Sequence, residues 1–133
     1  MKKPIMYKLT TYIPTDYLEA VKQALFDAGA GQIGNYQYCC WQVLGTGQFM
    51  PLAGNQAFIG TTNQLQTIEE WRVEIVVADA RIKAVVQALK QAHPYETPAY
   101  DVLKLEDIES SSLSSVAVKP PTLGGGYKAT CTL

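Results

Sequence analysis

Residues 70–77 read EWRVEIVV, and residues 82–89, a short connection further on, read IKAVVQAL. In the first stretch Trp71, Val73, Ile75 and Val77 alternate with Glu70, Arg72 and Glu74. That period of two is the pattern of a strand with one buried face. In the second, Ile82, Val85, Val86 and Leu89 fall at helical spacing, so a helix is expected over about 79–92. Pro94 ends it, because the residue before a proline is pushed out of the helical region. A similar unit stands near the start of the chain. Residues 6–13, MYKLTTYI, are rich in β-branched and aromatic side chains and read as a strand closed by Pro14. LEAVKQAL at 18–25 then aligns with IKAVVQAL at an offset of 64 residues, sharing Ala, Val, Gln, Ala and Leu.

A strand–helix–strand unit used twice is the split βαβ plan, with two helices covering one face of an antiparallel sheet. The remaining segments fit around it. Asp16 and Glu19 have the spacing of a capping box for the first helix, and Gly29 sits where a left-handed C-cap belongs. Residues 36–43 and 48–52 read as two strands joined by a turn at Gly45-Thr46-Gly47, giving an additional hairpin. Pro51 and Gly54 then release the chain into a loop, and 99–105, AYDVLKL, supplies the last strand. The expected fold is α+β and ferredoxin-like, with residues 1–105 as one domain. Residues 106–133 are rich in Ser, Gly and Pro and read as a flexible tail or an edge extension, with a candidate edge strand at 116–118.

A chain of 133 residues with 47% hydrophobic side chains can bury one core. Its net charge of -1 gives no long-range attraction to nucleic acid or an anionic membrane. Pro4 and Lys8 interrupt any apolar run after Lys2-Lys3, so neither a targeting signal nor a membrane span is expected. Three cysteines make no disulfide framework, and adjacent Cys39 and Cys40 bridge poorly, which suits a reducing cytoplasm.

The best candidate for chemistry is His93-Pro94-Tyr95-Glu96, an imidazole, a phenol and a carboxylate on a turn fixed by Pro94 and Pro98. His93 could bind a divalent metal or move a proton with Glu96 as partner. Equally, it could cap the carbonyls that end the second helix. Cys39 joins His93 in a copper or zinc site only if the hairpin packs beside that helix end; otherwise it is a small buried side chain. Cys40 and Cys131 read as incidental. Gly29-Ala30-Gly31-Gln32-Ile33-Gly34 contains GxGxxG, yet it follows a helix and precedes a strand. That is the reverse of the dinucleotide fingerprint, so a cap and tight turn is the better reading. Tyr36, Tyr38, Trp41 and Phe49 would line the hairpin, as a ligand-stacking wall or a packed interface.

Three motifs together carry a family resemblance: GAGQIGNYQYCCW (29–41), GTGQFMPLAGNQAFIG (45–60) and AHPYETPAYDV (92–102). They resemble the insert domain of the Nif-three (NGG-one-interacting factor three) family, and in particular its small YqfO-type form. The resemblance implies an architecture like the P-II and CutA proteins and, with it, a homotrimer joined through sheet edges. An edge strand with unpaired backbone groups does need covering. Full-length Nif-three proteins carry a two-metal centre and are labelled as GTP cyclohydrolase homologues. That centre belongs to flanking domains, and a chain with a single histidine offers no such ligand set. The expected function is therefore a non-enzymatic trimeric binding or regulatory module. Its small-molecule ligand would sit between subunits near His93, Tyr95, Glu96, Tyr36 and Gly34. The alternatives are a copper- or zinc-binding protein like CutA in role, and a metal-dependent hydrolase like the full-length family.

Overall fold

The computed structural model describes residues 4–108. The expected tail, with Cys131 and the candidate strand at 116–118, lies outside the described residues from position 109 onward. Strand β1 spans Met6–Pro14, helix α1 Leu18–Asp27, strand β2 Trp41–Phe49 and strand β3 Gln66–Ala78. Helix α2 spans Ile82–Ala92 and strand β4 Tyr100–Lys104. All neighbours in the sheet are antiparallel, in the order β2-β3-β1-β4.

The repeat seen in the sequence is a repeat in space. Each helix is entered through a single 3-10 turn, Thr15–Tyr17 before α1 and Asp79–Arg81 before α2. Alternation decides which side of the sheet is covered. Leu9, Thr11 and Ile13 on β1, with Val73, Ile75 and Val77 on β3, are all buried. Val21, Leu25, Val85 and Leu89 from the two helices pack in the same core. Trp71, expected in that row, is half-buried at its upper end. The opposite face is polar: Glu74 takes Lys8 at 3.3 Å and Arg72 at 2.7 Å. Its carboxyl is held below the usual range, first by Arg72 and with help from Lys8, against the raising push of burial. Among the described residues no helix is long and apolar enough to cross a membrane.

Two local expectations are corrected. The capping box at Asp16 and Glu19 does not form: the chain reaches α1 through the 3-10 turn, and no side chain caps the helix start. Nor does the chain turn at Gly45–Gly47. Strand β2 runs straight through these glycines and pairs with β3 from Trp41↔Glu74 to Phe49↔Gln66. The hairpin is therefore β2–β3 itself, with residues 50–65 as its connection. Tyr36 and Tyr38 precede it in an irregular segment.

The C-cap at Gly29 is as expected. Gly29 has φ 109°, with Gly29 N–H donating to Phe26 O at 3.0 Å and Ala30 N–H to Leu25 O at 3.0 Å. These are the paired bonds of a Schellman motif. Just beyond, Gly31 has φ 80°, and an added Cβ would lie 2.8 Å from the Cys39 carbonyl oxygen. Gly31→Ala should therefore lower stability by at least about 2 kcal/mol, read from the urea midpoint at unchanged m-value. An unshifted midpoint would contradict this close approach.

Candidate functional site

The site is built where β4 stops pairing with β1. That pairing ends at Thr11↔Tyr100, and the Tyr12 carbonyl just beyond is taken by the His93 imidazole, Nε2 lying 2.7 Å from it. Pro94 holds His93 extended, with φ -72° and ψ 137°, and so turns its ring away from its own helix. His93 caps no carbonyl of α2 with its side chain; it fastens the helix end to the first strand. The other ring nitrogen is also engaged, since Tyr95 N–H donates to Nδ1 at 3.1 Å. A backbone N–H can only donate, so Nδ1 accepts and Nε2 carries the proton. The imidazole is neutral, and both nitrogens are in use.

Tyr95 then crosses to β3. Its phenol donates to Glu70 Oε2 at 2.8 Å, and its ring lies 4.7 Å from the His93 ring, centroid to centroid. Burial, and next the Glu70 carboxylate, push the phenol well above its usual pKa, so it stays protonated. Glu96 faces the long connection, where its Oε1 accepts Gln56 N–H at 2.6 Å. Phe58 from the same connection packs edge-on against Tyr17 at 5.4 Å and lies 6.4 Å from Tyr95. Thr11, fully buried, donates its hydroxyl to Ala99 O at 2.9 Å and fixes the far end of the turn.

These contacts border a half-open pocket of about 370 Å³, edged by Tyr95 and Glu96 together with Tyr12, Phe49, Phe58 and Glu70. Phe49 is the one member of the expected aromatic wall found there. Tyr36, Tyr38 and Trp41 are exposed elsewhere, and Tyr38 packs edge-on against Phe26 at 5.3 Å. Sequence reading missed Tyr12, Phe58 and Glu70 as members of this site. The available signal was Gly47, whose missing side chain leaves room for the Glu70 carboxylate.

Within one chain the other predicted site residues lie at the opposite end of the sheet. Gly31 N–H donates to Val76 O at 2.8 Å, and Cys39 N–H to Gly31 O at 2.9 Å, so Cys39 sits beside the Lys8↔Val76 pair. His93 sits beside Tyr12↔Arg72, roughly 13 Å further along the strand. Cys39 and His93 are therefore not brought together, because the hairpin that would have carried Cys39 across does not form. Gly34 borders a different, wider depression of about 770 Å³, near Lys8 and Arg81. Among the described residues no group of three or more His, Cys, Asp and Glu side chains is placed to hold a metal ion.

The fold defines a class: a split βαβ domain of the kind seen in CutA and GlnK. CutA from Synechococcus elongatus superposes with a TM-score of 0.56 at 17% identity, over 79% of this chain and 80% of that one. Bacillus subtilis GlnK does so at 0.52 and 17%, over 76% and 85%. Within that class the sequence is more specific. It is 44% identical over 98 residues to a Mycobacterium leprae protein named GTP cyclohydrolase 1 type 2 homolog, covering 74% of this chain and 26% of that protein. The crystal structure of a Bacillus cereus protein related to NIF3 matches with a TM-score of 0.69 and 38% identity, over 80% of this chain and 27% of that one. No family model matches the sequence. The chain is similar to these Nif-three-related proteins through this one segment, and spans about a quarter of the length of the curated relatives it matches.

The neutral state of His93 has a consequence in solution. Burial lowers its pKa, outweighing the raising pull of the Tyr12 carbonyl and the Glu70 charge. The unfolded chain then binds a proton more readily than the folded one. The stabilisation is complete above the unfolded value near 6.5 and is lost as pH falls toward the folded value. Gln at this position keeps one donor and one acceptor and cannot charge. His93→Gln should therefore lose less thermal stability than wild type between pH 7.5 and 5.5; equal losses would contradict the assignment.

Proposed function

We propose that the domain is a non-catalytic, homotrimeric ligand-binding or regulatory module, with its ligand held in the cavity beside Tyr95 and Glu96. The observation that carries this reading is where the polar groups of His93-Pro94-Tyr95-Glu96 are spent. Both His93 nitrogens bond the backbone, and the Tyr95 hydroxyl is committed to Glu70. A general acid or base must instead present a titrating group to its substrate. What these groups leave is a walled space of about 370 Å³, within the usual size range of small-molecule pockets.

Assembly follows from the sheet edge. Strand β2 pairs only with β3 among the described strands, so its outer row of backbone groups is open. Trp41, Val43 and Leu44 on that strand are exposed. An apolar, unpaired edge of this kind is stabilised by covering it with another chain.

Light scattering on the eluting peak of a sizing column should give three times the chain mass, and a monomer would contradict the assembly. With added divalent metal the protein should leave GTP unchanged. Metal-dependent turnover that disappears in a His93→Ala variant would replace this reading with a catalytic one.

A further inference from the structure

The cavity beside Tyr95 has a one-sided chemistry. Four rings, Tyr12, Phe49, Phe58 and Tyr95, line it, and Glu70 and Glu96 supply its charge. Among the described residues that line it there is no Lys, Arg or His. Arg72, the next cation along β3, is turned to Glu74 at 2.7 Å. Each carboxylate has one oxygen already committed, Glu70 Oε2 to the Tyr95 phenol and Glu96 Oε1 to the Gln56 amide. Of the second oxygens, Glu70 Oε1 lies against Gly47 at the cavity edge, and Glu96 Oε2 belongs to an exposed side chain. The Glu70 side chain is also held in place: it lies directly over Gly47, where any Cβ would overlap its carboxylate.

Aromatic faces attract cations through the negative potential of the ring, most strongly where water is scarce. Two carboxylates at the same wall add to that attraction and repel a phosphate or carboxylate guest. At about 370 Å³ the space lies near the lower end of ligand-pocket sizes, which favours a compact guest over a dinucleotide. We infer that this cavity binds a small organic cation, an alkylammonium or guanidinium group seated among the four rings and facing Glu70 and Glu96. The inference rests on the reading of the domain as a ligand-binding module and gives the chemical class of the ligand.

Calorimetric titration of the full chain tests it with three cations, each against its neutral isostere. The pairs are choline with dimethylbutanol, putrescine with butanediol, and argininamide with citrullinamide; inorganic phosphate serves as the anion. At least one cation should bind about tenfold or more tighter than its isostere, the size expected for cation–π and charge-assisted contacts together. Phosphate should not bind in the cavity. Glu70→Gln keeps an acceptor for Tyr95 but removes the charge, and Gly47→Ala keeps the charge but displaces it. Each should weaken the cation about tenfold while circular dichroism and native mass are unchanged. Absence of binding by all three cations, equal binding of an isostere, or equal cation binding by Glu70→Gln would overturn the inference. Native mass spectrometry reads the trimer independently. A trimer that ignores cations sinks this inference alone, and a monomer that binds them sinks the assembly alone.

Discussion

The arrangement of the site depends on one buried, neutral imidazole. His93 bonds the carbonyl of Tyr12 with one nitrogen and the amide of Tyr95 with the other, so it joins the end of α2, the upper end of β1 and the following turn. Everything that edges the cavity is placed relative to that join. Tyr95 reaches Glu70 only because its backbone is held at the ring, and Glu96 then meets the 50–65 connection through Gln56. Protonation would put a donor where Nδ1 now accepts, opposite a backbone N–H that has nothing else to offer. The join and the charge state of the ring are one constraint.

This explains why a segment that resembles an active site in the sequence does different work in the fold. An imidazole, a phenol and a carboxylate within four residues suggest acid–base chemistry. Here the first two are consumed in holding shape, and Glu96 is drawn to the Gln56 amide. The Nif-three relatives share this segment as about a quarter of their length, so activities of those longer proteins need not reside in it. Among the described residues the domain presents a small, aromatic, acidic space, and strand β2 stands at the edge of the sheet.

Much of the fold was legible because it rests on short-range pattern. Alternation marked Val73, Ile75 and Val77 as the inner row of β3, helical spacing marked Val85 and Leu89, and the 64-residue repeat paired the two halves. What failed were signals with two physical causes. Glycines at 45 and 47 suggested a turn, but Gly47 is small to admit the Glu70 carboxylate from the neighbouring strand. Asp16 and Glu19 had capping-box spacing, but a 3-10 turn enters α1 instead. The partner of His93 lies 81 residues away, and no local spacing encodes such a contact. Tyr12, Phe58 and Glu70 meet at the cavity only through sheet register and a folded-over connection, so they too escaped local reading.

The claim most directly open to test is the protonation state of His93. The chain has a single histidine, so its ring nitrogens can be followed by 15N NMR of untagged protein without ambiguity. The account predicts a neutral ring with the proton on Nε2, observed at pH 7 and retained below the ordinary histidine midpoint near 6.5. A ring that carries its proton on Nδ1, or that titrates at or above that midpoint, would contradict the central role given to it.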